Sequence, residues 1–196
     1  MLAPMDKTRC SVTTKRMSLG ILAGAMLMAL ASGCGTTIGL TSDRYQPQFD
    51  PAPLASYNGR AILLRNFENV DNNTSFYRYP GAGRHYGGPV LTSYFWYCFK
   101  AAFTKLGVNV FDESLAQPGV PSMEVKLVRI DEAGYTAQVT VMGGPGQPPL
   151  QKSYSVAGPP ITDRQPAALE SRAYQMMTGL FWNIVADPAF QSAVLR

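Results

Sequence analysis

Three short segments in the second half of the chain limit the folds open to it. In Met123–Ile130, Met123, Val125 and Leu127 alternate with Glu124 and Lys126. Tyr135, Ala137, Val139 and Val141 alternate in the same way with Thr136, Gln138 and Thr140. Leu150, Lys152, Tyr154 and Val156 then alternate with Gln151, Ser153 and Ser155. Successive side chains of a strand point to opposite faces, so this period of two describes a sheet with one face buried and one wet. Asp131-Glu132-Ala133-Gly134 reads as a turn, and the Gly/Pro-rich run from Gly143 to Pro149 suits neither helix nor strand. An antiparallel meander follows. The adjacent Leu127 and Val128 break the alternation and predict a bulge or burial on both faces.

A half-apolar sheet needs a covering layer. Two segments have the helical period to supply it. Between Pro89 and Leu106, residues Leu91, Phe95, Cys98, Ala102 and Leu106 mark one face, Trp96, Phe99 and Phe103 widen it, and Gly107 is the stop. So wide an apolar arc predicts packing on the sheet and on a second surface. The second helix starts at Pro166, with Asp163 or Thr162 as cap, and carries Leu169, Ala173, Met176, Leu180 and Ile184 in one stripe. Asp187-Pro188 ends it, because the residue before proline disfavours helix, and 188–195 forms a further short turn or helix. Arg60–Phe67 reads as a central strand and Val108–Phe111 as a short one. The expected order is β-α-β-β-β-β-α. This is an α+β two-layer sandwich, with a mostly antiparallel sheet and two main helices on one face. Residues 68–88 form a long loop that holds Phe76, Tyr77, Tyr79, Arg84, His85 and Tyr86. So many rings in one connection point to docking rather than solvation.

The amino terminus reads as a targeting segment over residues 1–33. Lys7, Arg9, Lys15 and Arg16 precede an uncharged, mostly apolar run from Met17 to Ala31. That run is short beside the roughly 20 residues of a membrane span. Ala31-Ser32-Gly33-Cys34 follows. It resembles the lipobox of bacterial lipoproteins, with Ala31 in the usual leucine position and Leu30 one place earlier. The resemblance implies cleavage before Cys34 and acylation of that cysteine, and Gly35 after it implies the outer membrane. An ordinary secretory signal with a chance cysteine, or a retained anchor, are the competing readings. Residues 34–56 read as a lipidated tether, with Pro47, Pro51 and Pro53 keeping it extended, and 57–196 as a periplasmic domain.

Cleavage changes the charge. Of 17 Lys/Arg and 13 Asp/Glu, the removed segment takes four and one, which leaves 13 and 12, a net of +1. No basic stripe remains for nucleic acid. Charged residues make up 15% of the chain, below the roughly 25% of an average soluble domain. Cys98, inside an apolar helix, reads as a buried inert thiol.

Gly59-Arg-Ala-Ile-Leu-Leu-Arg-Asn-Phe-Glu-Asn69 resembles the first strand of periplasmic domains related to the TolB amino-terminal domain and the curli secretion lipoprotein. Phe67-Glu68-Asn69 and Lys105-Leu106-Gly107-Val108 occupy the places of their Phe-x-Asn strand end and Leu-x-x-Gly helix end. The layout also resembles YajG-like and ABC-transport-auxiliary lipoproteins. The resemblance spans roughly residues 57–190. It implies attachment at the cell envelope and interaction with other envelope components, and it carries over no catalytic residues.

The sequence carries few signatures of catalytic chemistry. His85 is the sole histidine, and no nucleophile-elbow pattern accompanies it. One histidine and one spare cysteine do not make a usual zinc set, and no phosphate or dinucleotide fingerprint is present. The expectation is therefore a non-enzymatic envelope adaptor, or an assembly or transport accessory subunit, without cofactor or metal. It reaches the membrane through lipid on Cys34 and an envelope protein through the 68–88 loop and a helix face, and homo-oligomerisation is left open. If the two helices lie side by side, Trp96 and Trp182 would frame one groove. The alternative is a lipid or small-molecule binding module with an apolar pocket between helices and sheet.

Overall fold

The computed structural model describes residues 40–70, 78–79, 84–85, 91–115, 117–143 and 148–195. In chain order the elements are β1 (Ala61–Leu64), β2 (Glu68–Asn69), β3 (Arg78–Tyr79), β4 (Arg84–His85), α1 (Leu91–Lys105), β5 (Asn109–Phe111), β6 (Ser122–Asp131), β7 (Gly134–Met142), β8 (Leu150–Ala157), α2 (Pro166–Val185) and α3 (Pro188–Val194). Short 3-10 turns cover Ser42–Arg44, Ala52–Tyr57 and Glu113–Leu115. The expected α+β architecture is present. Six strands form one mixed, mostly antiparallel sheet in the order β5-β1-β6-β7-β8, with β2 also alongside β6. β1 runs parallel to both β5 and β6, and β6, β7 and β8 form the antiparallel meander.

The alternation in sequence maps onto the two faces. Met123, Val125, Leu127, Tyr135, Ala137, Val139 and Val141 are buried with Ile62 and Leu64 beneath the helices. The opposite face is a polar ladder in which Glu124 pairs Thr140, Lys126 pairs Gln138 and Thr136 pairs Ser155. The expected bulge lies between Leu127 and Arg129 and turns Val128 outward. At the β6–β7 turn the Asp131 carboxylate accepts the amides of Ala133 (2.9 Å) and Gly134 (3.1 Å). A Cβ on Gly134, whose φ is +154°, would stand 2.1 Å from the Val156 carbonyl oxygen, so β8 can close on β7 only without one.

α1 ends as its sequence predicts. Gly107 adopts φ +76°, its amide donates to the Thr104 carbonyl (2.9 Å), and the Val108 amide donates to the Phe103 carbonyl (3.1 Å). These are the paired bonds of a Schellman closure, and Phe103 and Val108 are both buried beside it. The start of α2 differs from expectation. Gln165 is the N-cap residue, and Asp163 instead accepts the Gln165 amide (2.8 Å) one turn upstream, because Pro166 has to occupy the first helical position. The two helices meet through rings: Phe181 of α2 packs edge-on against Phe99 (5.6 Å) and Phe103 (4.9 Å) of α1.

The tether expectation requires correction. From Leu40 onward the segment is a strap bound along the helices, and Leu40, Tyr45, Leu54 and Tyr57 are buried in the core. Tyr174 Oη receives the Thr41 amide (3.3 Å) and lies 2.9 Å from the Thr41 carbonyl. Arg44 pairs with Glu170 (3.2 Å), Tyr45 Oη with Thr178 Oγ1 (3.1 Å), and Lys105 Nζ donates to the Pro47 carbonyl (2.6 Å). Phe49 stacks on Phe181 (5.8 Å) and meets Trp182 at a tilt (5.9 Å), and Tyr57 Oη donates to the Val185 carbonyl (2.8 Å). Prolines stiffen a segment but do not free it. The apolar side chains of this one follow no regular period, so their burial could not be read from spacing.

Asp187 ties the carboxyl-terminal elements together. Its carboxylate caps α3 through the Ala189 amide (3.3 Å), accepts the Tyr154 hydroxyl (2.6 Å) and pairs with Lys152 (3.0 Å). Burial works against its charge, but the bonds from Tyr154, Lys152 and Ala189 outweigh it and hold the carboxyl below the usual range.

Two outcomes are expected in thermal and urea unfolding. Phe49→Ala lowers stability by about 2 kcal/mol, a Tm loss of ~4–8 °C, whereas a free tether would give no change. Asp187→Asn costs about 1–2 kcal/mol at neutral pH. A depressed folded-state pKa contributes stability above the unfolded value and loses it as pH falls through the folded one. The urea midpoints of wild type and Asp187→Asn therefore converge on acidification.

Candidate functional site

β1 stops at Leu64 and β2 begins at Glu68, so the chain breaks stride at Arg65-Asn66-Phe67. Phe67 turns inward and meets Phe99 edge-on (5.2 Å), while the Asn66 side chain turns toward Glu113 (3.4 Å). The first turns of α1 lie opposite. Between them opens a cleft of about 320 Å³ lined by Asn66, Phe67, Thr92, Ser93, Trp96, Tyr97 and Asp112. It lies just beyond the carboxyl ends of the parallel strands β1 and β5. In open α/β sheets ligands are found at such an end, because loops diverge there and leave a crevice.

Trp96 forms one wall. Its indole N–H donates to the Leu64 carbonyl (3.2 Å), which fixes the ring at the end of β1, and Lys100 sits 5.2 Å from its centroid. Tyr97 packs edge-on against it (5.0 Å) and stays 53% exposed, one of few large apolar side chains so exposed among the described residues. Asp112 is the carboxylate of the cleft. The Ser114 hydroxyl (2.5 Å) and amide (3.0 Å) both donate to its Oδ1, and these bonds, the hydroxyl's first, hold its carboxyl below the usual range against a small desolvation cost. A smaller cleft of about 200 Å³ shares Asn66 and is lined by Arg65, Glu68, Glu113, Glu124 and Lys126. There Lys126 pairs with Glu68 (2.9 Å) and Arg65 with Glu124 (3.5 Å).

This arrangement offers hydrogen bonds and stacking. The larger cleft presents one carboxylate, an amide, the hydroxyls of Thr92, Ser93 and Tyr97, and the ring pair of Trp96 and Tyr97. Among the described residues, no group of three or more His, Cys, Asp or Glu side chains is placed to hold a metal ion. Cys98 is buried, and burial pushes its thiol well above the usual range, so it is held as an unreactive thiol. The space between helices and sheet, where an apolar pocket was the alternative expectation, is filled by Phe95, Phe99, Phe103, Tyr135 and Phe181. The cleft opens at the edge of that layer instead.

Sequence-predicted site residues are distributed as follows. Cys34, Phe76, Tyr77 and Tyr86 lie outside the described residues. Tyr79, Arg84 and His85 are described by their backbone, in a small antiparallel pairing of Arg78 with His85 and Tyr79 with Arg84. The two indoles do not share a groove. Trp96 lines the cleft at the end of β1, and Trp182 is covered by Phe49 of the strap. The helices do lie side by side, but the strap runs along them where a groove was expected. Asn66, Thr92, Ser93 and Asp112 escaped sequence reading. Each is an ordinary small polar residue at the end of an element, and only tertiary packing brings them together.

No family model matches the sequence, and no curated protein matches it. Among solved structures the chain is similar to a Xanthomonas campestris protein assigned to the family model DUF330, with 15% identity over 76% of this chain and 92% of the other, at a TM-score of 0.51. It is similar also to an uncharacterized protein, with 10% identity over 77% of this chain and 95% of the other, again at 0.51. At these identities the likeness is one of fold.

Proposed function

We propose that the protein is a lipid-anchored component of the bacterial cell envelope, held at the outer membrane and facing the periplasm, where it serves as a non-enzymatic adaptor or as an accessory subunit of an assembly or transport machine. The observation that carries this reading is Cys34, set directly after a basic segment, an uncharged apolar run and small residues. Two or three acyl chains make a durable anchor where a single one holds only marginally. The fold likeness to a bacterial DUF330 protein agrees with it. No helix among the described residues is long and apolar enough to cross a membrane. The 68–88 loop, and the rings of Trp96 and Tyr97, are the surfaces offered to an envelope protein. Exposed aromatic side chains with a polar rim are the usual core of such contacts.

Four measurements test it. Radiolabelled palmitate enters the wild-type protein and not Cys34→Ser, and Cys34→Ser moves from the membrane to the soluble fraction on cell fractionation. Deleting residues 70–86 removes β3 and β4, which pair only with each other among the described strands, so the Tm is retained. The same deletion abolishes cross-links to the partner in intact cells. Palmitate-free protein, or an unchanged set of cross-links, refutes the corresponding half of the proposal.

The position of the cleft favours a second reading, a small-molecule binding module. A ligand lodged against Trp96 alters its fluorescence, and native mass spectrometry retains the ligand's mass. Trp96→Phe then weakens binding about tenfold, the scale of one lost ring contact.

A further inference from the structure

We infer that the strap determines how the domain sits on its membrane: the end that carries the first turns of α1 and α2, the β6–β7 turn and the 158–165 loop is the bilayer-facing surface. This rests on the acylation of Cys34 proposed above.

The length of chain left free is the first argument. Cys34 and Leu40 are six residues apart, and a fully extended chain spans at most about 3.6 Å per residue, so Leu40 stays within ~22 Å of the acylated residue. A tether free to Tyr57 would reach ~80 Å by the same rule and let either end of the domain approach the bilayer. Leu40 is itself buried (3% exposed), and Thr41 is bound through both backbone groups to Tyr174.

The direction of the strap is the second argument. Along the strap its contacts on α2 begin with Thr41 on Tyr174 and Arg44 on Glu170, and then climb through Thr178 to Phe181, Trp182 and finally Val185. The described strap therefore meets α2 first in its amino-terminal half. Arg172 places two more segments at that end, donating to the Glu132 carbonyl of the β6–β7 turn (2.5 Å) and to the Pro159 carbonyl (2.6 Å). Lys152 and Tyr154, on Asp187, mark the opposite end. α2, at 20 residues, and β7, at nine, each span about 30 Å, so the two ends differ in height by about that distance.

The test uses the full acylated chain in liposomes that carry an acceptor dye on the lipid headgroup. A donor dye is placed by Ala133→Cys or Met142→Cys, both exposed and at opposite ends of β7, in a Cys98→Ala background. Energy transfer to the lipid is severalfold higher from position 133 than from 142. Inserting ten Gly/Ser residues after Gly35 lengthens the leash by ~35 Å without touching the fold, and the difference shrinks. Equal transfer from both positions in protein that floats with the liposomes overturns the orientation alone, as does a difference that survives the insertion. Protein that fails to float removes the anchor and overturns the acylation reading with it.

Discussion

The ring of Phe181 is the contact on which the described domain turns. It meets Phe99 and Phe103 from α1 on one side and Phe49 from the strap on another. Each such ring pair contributes about 0.5–1.5 kcal/mol beyond the area it removes from water. Their larger effect is geometric. They hold α1, α2 and the strap in one register, and that layer is what buries the apolar face of the meander. Without it, the row from Met123 through Tyr135 to Tyr154 would face water, and a sheet of this kind does not stand alone.

The strap turns a segment with no secondary-structure period into part of the core. Its anchors, Leu40, Tyr45, Leu54 and Tyr57, are spread over the whole segment, and the Tyr57 hydroxyl satisfies a carbonyl that the end of α2 leaves open. A domain strapped in this way has residues 40–57 fixed to its helical layer.

Much of the fold was legible in the sequence, and for a physical reason. Strand and helix periods follow from backbone geometry, so the meander, both main helices, the bulge at Leu127-Val128 and the glycine stop at Gly107 could be read from local patterns. The parallel pairing of β1 with β6 could not, because it depends on partners nearly sixty residues apart. The strap was missed for a related reason: its burial is created by a groove that exists only after α1 and α2 have packed. The candidate cleft was half visible. Trp96 drew attention as a ring on a crowded helix, while Asn66, Thr92, Ser93 and Asp112 carry no signal until β1, α1 and β5 converge.

By itself the sequence determined the elements, the polar and apolar faces of the sheet and the expectation of an exported, acylated chain, since these depend on periodicity and on motifs within a few residues of one another. The tertiary structure alone decided that residues 40–58 are part of the domain, that the two indoles have different neighbours, and that the cleft lies at the carboxyl ends of β1 and β5. Those outcomes depend on which surfaces remain free after the helices close on the sheet, and packing between distant segments, not local propensity, sets that.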